Sequence, residues 1–510
     1  MKQNNSQLRA GVYLSYINLF LSALIPMLYT PVMLRMLGQA EYGLYSLSSS
    51  AISYLSLLSF GFGSTIIRYV AKYRALGDKE SINKTVGFFL VIFLLMAGIA
   101  MICGIVIAGN VEPIFRRGLL PAELEKVRVL ILIMSFNTAL SFPLSVFSSV
   151  ITGYEKYIYR KLVDMLSTVI APIANLVALY LGFYSVGMAV ASTVVQFLML
   201  PLNIGYCICK LKVKPKFSLM PKPLVAEMLS FSVFIFLGTL TDMLFWSTDK
   251  VILGMLAGST AVAIYNVGGT FNNMVMNVST SLSGVLTPRI TVMAAEQKEP
   301  HEFDALMIKV GRIQYIIVAL VVSGFIVFGR AFIKLWAGTE YSDAYWVAIL
   351  TLIPLCVPLI QNTGKSIVIA LNKHQFRSIV YLIIAVVNVI STYLIVPYAG
   401  ITGAAACSGI SYIVGQGLIM NVFYYKVIGL NIPLFWKNIL KMSIIPAAML
   451  VLGLCVLQIV SVDNWIVFFI GVAAYSCIYS FLMYRYILNN YERDIIRKPL
   501  LKIIGKSKKI

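Results

Sequence analysis

Charge is what this sequence most lacks. Only 12% of its 510 residues are Asp, Glu, Lys or Arg, about half the roughly 25% of an average soluble domain. A soluble chain of this length would need a far more charged surface, which excludes a soluble globular or a disordered protein. Histidine is nearly missing: His301 and His374 are the two in the chain. Both fall in loops, so no His-rich metal centre is expected. The seven cysteines form no CxxC pair and lie within or at the ends of apolar runs. They read as small buried apolar side chains, leaving no disulfide framework, metal or cofactor to expect. No two aspartates stand in DxD spacing. The GKS triplet at Gly364–Ser366 lacks the glycine five residues earlier that a phosphate-binding loop needs; Leu359 stands there. The longest odd-numbered loop runs only from about Gly109 to Lys126, so a membrane enzyme of glycan assembly is disfavoured. The chain is expected not to be an enzyme.

Apolar residues are what it has in abundance: 59% are hydrophobic and the mean hydropathy is +0.87. A helical membrane span takes about 20 apolar residues. The hydropathy pattern predicts an all-α polytopic membrane protein of about fourteen transmembrane helices. They are expected near 10–34, 44–67, 85–108, 127–150, 162–182, 186–209, 226–248, 260–285, 308–328, 344–370, 378–397, 401–424, 438–460 and 464–488. The first apolar run continues into TPVML rather than a small-residue cleavage site, which reads as an uncleaved helix.

The net charge is +21, from 41 Lys and Arg against 20 Asp and Glu. Of the 41 basic residues, 32 fall on the N-terminus, the even loops and the tail, and eight on the odd loops; Lys365 lies within a helix. Basic residues collect on cytoplasmic loops, so both termini are expected in the cytoplasm and the span count even. The excess then faces anionic membrane lipids, and no nucleic-acid partner is expected.

The sequence repeats itself. LRMLGQAEYGLYSLSSS from Leu34 matches LGMLAGSTAVAIYNVGGT from Leu253, with Tyr45 on Tyr265. STIIR ending at Arg68 matches LTPR ending at Arg289, and Ser185–Ser192 matches Ile401–Ser408. Offsets of 216 to 221 residues imply two six-helix repeats. An even helix number gives both the same orientation, about an axis along the membrane normal. The expected domains are an N-terminal six-helix lobe over 1–215 and a C-terminal one over 216–430. Two additional helices and a basic cytoplasmic tail occupy 431–510. Two such lobes would place a substrate cavity between them near the midplane.

The stretch Leu37–Tyr73, with Ser247–Val267, TPRI at Thr287–Ile290 and FIKLWAGTEY at Phe332–Tyr341, resembles polysaccharide and O-antigen flippases of the Wzx type. These belong to the multidrug/oligosaccharidyl-lipid/polysaccharide exporter superfamily. The resemblance covers most of the first twelve helices. It implies an inner-membrane flippase that moves undecaprenyl-pyrophosphate-linked oligosaccharide across the bacterial cytoplasmic membrane by alternating access, for cell-surface polysaccharide biosynthesis. It also implies a cavity lined by the first, second, seventh and eighth helices, and a polysaccharide polymerase and glycosyltransferases as partners. A cation-coupled multidrug antiporter and a lipid II flippase of the same superfamily are the alternatives.

Charges near or inside spans are the informative residues, because a charge at the bilayer centre costs about 2.5–3.5 kcal/mol on insertion scales. Asp242 and Asp249 stand seven positions apart, within about 20° of two full turns. The spacing puts them on one face of the seventh helix, with Trp246 between and Lys250 following. A coupling-ion site, a gate, or the plain periplasmic end of that helix would each use them. The tenth helix carries Gln361, Asn362 and Lys365, a polar patch absent from the first repeat. A cation there suits a phosphorylated headgroup; snorkelling to the cytoplasmic end is the simpler alternative. Arg68 and Arg289, repeat-related, close the cytoplasmic ends of the second and eighth helices and could receive a pyrophosphate or merely anchor them. Arg35 runs against the charge bias at the periplasmic end of the first helix and joins the headgroup candidates. Asn175 and Asn388 read as hydrogen-bonding between helices.

Overall fold

The computed structural model describes residues 2–218, 222–284, 287–494 and 497. Lys498, Lys502, Lys506, Lys508 and Lys509 of the basic tail lie outside the described residues. No strand occurs among the described residues. In chain order the helices are α1 (Lys2–Ser53), α2 (Phe62–Ala75), α3 (Lys79–Gly109), α4 (Val111–Phe115), α5 (Pro121–Gly153), α6 (Tyr157–Tyr180), α7 (Tyr184–Gly205), α8 (Lys222–Trp246) and α9 (Thr248–Leu256). There follow α10 (Ser259–Gly284), α11 (Thr287–Ala295), α12 (Pro300–Trp336), α13 (Ala344–Ile360), α14 (Asn362–Ala370), α15 (His374–Tyr412), α16 (Met420–Phe423), α17 (Ile432–Met442), α18 (Ile444–Leu457) and α19 (Trp465–Leu482).

Nine helical runs among the described residues are long and apolar enough to cross a membrane, and the bent pair α13–α14 makes a tenth. Two of the runs, Phe20–Ala75 and Gln375–Ile428, hold 56 and 54 residues. At 1.5 Å per residue each exceeds twice the roughly 30 Å hydrocarbon thickness. Counting these as two passages each, and α8 and α10 as one each, is consistent with the fourteen expected. The outward faces are apolar: α3 alone exposes Leu94, Leu95, Ile102, Ile105 and Val106. Water would not tolerate so continuous an apolar surface. The protein is an all-α, multi-pass membrane protein.

The backbone carries the repeat as well. Gly38 interrupts α1 with φ 74° and ψ 169°, and Gly258 stands just before α10 with φ 92°. Each lies seven residues ahead of its repeat-related tyrosine, Tyr45 or Tyr265. A side chain is strongly disfavoured at such angles, so the two helices that follow start at equivalent glycine breaks.

The chain divides into two compact units. One comprises Met1–Asn266 with Ala385–Ala404, the other Val267–Ile384 with Ala405–Ile510. In the first, α3 packs along α5. Gly104 admits Ser135, whose Oγ would lie 2.1 Å from a Cβ at that glycine. Phe62, Phe89, Phe93 and Phe142 fill the adjoining core. In the second, the 37-residue α12 is the hub, with α13, α17, α18 and α19 against it. Tyr479 of α19 donates to the Ile316 carbonyl at 2.9 Å, and Tyr315 of α12 bonds Ser443 at 2.5 Å.

Three expectations from the sequence are corrected. Arg68 does not close the second helix. Phe60 and Gly61 take positive φ (45° and 70°), which breaks the helix and restarts it as α2, so Arg68 falls in its middle. The seventh helix ends at Trp246, and Asp249 lies in the first turn of a separate helix, α9, after Ser247. The tenth bends by 46° at Gln361. Pro354 and Pro358 remove two backbone donors in the turns just before it, which weakens the ladder where it breaks.

Candidate functional site

Within the first unit, α1, α6, α7, α9 and α10 enclose a cavity of about 230 Å³. Its polar lining comes from Tyr29, Tyr42, Tyr45, Ser46, Asn175 and Asn266, with Lys250 as the charged residue. The lining is braced. Asn266 donates from Nδ2 to the Tyr42 hydroxyl at 2.6 Å and to Ser46 Oγ at 3.0 Å. Asn175 of α6 accepts from Ser192 of α7 at 3.1 Å, the interhelical bond expected of it. The volume falls below the about 300 Å³ at which small-molecule pockets begin. The cavity admits one charged group with a few waters rather than an oligosaccharide.

The break at Ser247 splits the expected acidic face. Asp242 at the end of α8 is exposed, whereas Asp249 on α9 is 1% exposed. Asp249 Oδ2 accepts from the Tyr265 hydroxyl at 2.5 Å and Oδ1 from Thr392 Oγ1 at 3.2 Å. Burying a carboxylate is tolerated when donors hold it. Lys250, one residue on, turns to the cavity instead. It makes no ion pair within 4.0 Å among the described residues. Asp249 and Lys250 thus have different surroundings.

In the second unit the α13–α14 break gathers the polar patch. Ser279 Oγ donates at 2.9 Å to the Leu359 carbonyl that the break leaves open. Gln314 donates to the Ser279 carbonyl at 3.2 Å and Asn362 to Ser279 Oγ at 3.4 Å. Gln361 is buried and donates to Asn421 Oδ1 at 2.7 Å, which also receives the Trp436 indole at 3.2 Å. Its amide therefore holds the break together, while Lys365, one turn into α14, is exposed. Arg35, Arg68 and Arg289 are likewise exposed, on α1, α2 and α11. Asp164 of α6 pairs with Arg160 at 2.9 Å.

Sequence reasoning missed Tyr29, Tyr42, Asn266 and Thr392. The Tyr45–Tyr265 match, Asn175 and the Asp249–Lys250 pair pointed at this region. The residues that meet there are far apart in sequence: Tyr42 and Asn266 are separated by 224 positions.

The family model for the polysaccharide biosynthesis protein matches residues 8–294, more than half of the chain. The chain belongs to that family. It is 23% identical over 423 residues to an uncharacterized membrane protein of Methanocaldococcus jannaschii, MJ1068, covering 79% of this chain and 81% of that one. Its fold is that of the lipid II flippase MurJ in an inward closed conformation. That likeness has a TM-score of 0.73, 15% identity, and covers 96% of this chain and 99% of that one. An inward-facing multidrug resistance MATE family transporter of the MOP superfamily shares the fold at a TM-score of 0.61 and 16% identity. It covers 78% of this chain and 96% of its own.

Proposed function

We propose that this family member is a flippase. It moves undecaprenyl-pyrophosphate-linked oligosaccharide across the bacterial cytoplasmic membrane by alternating access of two six-helix lobes. Both termini lie in the cytoplasm, and the chain is not an enzyme. The observation that carries this reading is the charge of the first unit's cavity: a lysine among hydroxyls and amides, with the nearby carboxylate turned away and bonded. A cation in a sparsely hydrated site attracts a phosphate more strongly than one in bulk water, because the Coulomb interaction grows as the effective dielectric falls. A site built to hold a cationic drug would present the carboxylate.

Lys365 supports the same reading from the second unit. It lies in the first turn of a half-helix after a break, where the helix dipole favours an anion. Broken helices with this polarity recur where transporters bind anionic groups. Arg35, Arg68 and Arg289 are the further headgroup candidates, and Asp242 the coupling-ion candidate. A surface-polysaccharide polymerase and glycosyltransferases would act before and after the flip.

The test is reconstitution. Vesicles containing the purified protein are loaded with fluorescent undecaprenyl-pyrophosphate oligosaccharide, with lipid II, or with a cationic dye. Flipping of the first alone supports the proposal. Transport of the dye without either lipid identifies a drug antiporter and overturns it; lipid II as the preferred substrate overturns the oligosaccharide assignment.

A further inference from the structure

Within the second unit, a cavity of about 950 Å³ opens where α12, α17 and the chain after α19 meet. None of the residues discussed above for transport lines it. Two helix faces form its walls. On α12, Lys309 and Arg312 stand three residues apart; on α17, Asn438 and Lys441 do the same. Residues at that spacing share a helix face. The helices are held close because Gly311 has no side chain: a Cβ there would lie 2.5 Å from Phe435 Cε2. Phe435, Ile439 and Ile432 pack with Met307 and Val310 in one apolar core. The polar faces beside that core then flank the cavity.

The third wall is the turn from Ile487 to Tyr491, and it is fixed. Arg312 donates to both oxygens of Glu492, from Nε at 2.6 Å and Nη2 at 2.9 Å. Asn489 and Glu492 cap each other, backbone N–H to side chain, at 3.0 and 2.9 Å. Lys309 Nζ lies 3.4 Å from the centre of the Tyr491 ring.

The charge of the lining can be read directly. Glu492 neutralises Arg312. Asp304, the carboxylate in the lining, accepts the Asn431 N–H at 2.7 Å. Lys309 and Lys441 set against Asp304 leave one net positive charge, with Tyr486 and the Asn438 and Asn489 amides beside them. Ile308 and Leu434 line the same cavity, and Leu434 is 43% exposed, so apolar surface adjoins the lysines. Two lysines over a roomy cavity, opening onto an apolar flank, match a phosphate carried on acyl chains.

We infer that this cavity binds the headgroup of an anionic phospholipid, with Lys309 and Lys441 as its phosphate partners and the Ile308 and Leu434 side chains against its chains. Basic pockets between helices near the membrane surface are a recurring means of anionic headgroup recognition. The site is separate from the transport site, so its test does not depend on the flippase reading.

The experiment is native mass spectrometry of the full chain, equilibrated with equal phosphatidylglycerol and phosphatidylcholine. Wild type should retain phosphatidylglycerol several-fold over phosphatidylcholine. Lys309→Gln/Lys441→Gln should bring that ratio to about one, and Lys441→Arg should keep it. Should the double variant fold poorly, Lys441→Gln alone, on an exposed position of α17, should lower the ratio part-way. A parallel thermal-unfolding arm offers phosphatidylglycerol, phosphatidylcholine or millimolar inorganic phosphate. Protection by phosphatidylglycerol alone, lost in the lysine variants, supports the site. Equal retention by wild type and variants overturns it, and equal protection by free phosphate overturns the lipid as its source.

Discussion

The Tyr265 hydroxyl lies 2.5 Å from Oδ2 of buried Asp249, with Thr392 3.2 Å from the other oxygen. Both side chains serve this carboxylate in place of water. Tyr265→Phe removes one donor and keeps the ring. It should cost about 1–3 kcal/mol, the desolvation penalty of a buried acceptor left short of a partner. Unfolding in detergent measures this. An unchanged midpoint would mean that Asp249 is satisfied without Tyr265.

Arg312 and Glu492 make a two-point ion pair 180 positions apart, with side chains 11% and 2% exposed. Breaking such a pair leaves an unpaired buried charge, at about 3–5 kcal/mol. Glu492→Gln should therefore destabilise the protein strongly, and Arg312→Met/Glu492→Leu should recover much of the loss. A double variant worse than the sum of the single ones would contradict the pair's assigned role.

Gly43 on α1 is the contact point for the start of α10. A Cβ there would lie 1.9 Å from the Ser259 carbonyl oxygen. Backbone cannot give way as a flexible side chain can, so Gly43→Ala should exceed the about 1–3 kcal/mol of ordinary overpacking. Loss of folded protein at normal transcript level checks it; normal abundance would refute the close approach. Gly98 on α3, with open space around its Cβ position, should accept alanine.

Topology is testable with impermeant thiol reagents. In a background lacking the native cysteines, Lys212→Cys should label from the cytoplasmic side and Ser461→Cys from the other. Labelling of both from one side would overturn the even span count.

Hydropathy made the helical class legible, and the glycine-led repeat around Tyr45 and Tyr265 was visible as a match before its backbone geometry was. The breaks were not. Trp246-Ser247-Thr248 contains neither glycine nor proline, so nothing local announces that α8 stops there and sends Asp249 and Lys250 in different directions. At Gln361 the signal was present in Pro354 and Pro358, but apolar periodicity ran through it. Charges could be found one by one, whereas their surroundings come from long-range packing. Tyr42 and Asn266 become neighbours only when α10 docks on α1. Arg312 shows the same limit: it reads as one more even-loop cation until Glu492 is placed against it.

The central claim is that a cationic cavity receives the anionic part of a lipid-linked oligosaccharide, and Lys250 tests it most directly. The measurement is the initial rate of undecaprenyl-pyrophosphate oligosaccharide flipping in vesicles, at equal reconstituted protein and equal unfolding midpoint. Lys250→Gln keeps a hydrogen-bonding side chain one bond shorter but removes the charge. The rate should fall at least about tenfold, equivalent to about 1.4 kcal/mol of lost interaction. Lys250→Arg, which keeps the charge in a different shape, should retain an intermediate rate. A Lys250→Gln rate equal to wild type would contradict the account.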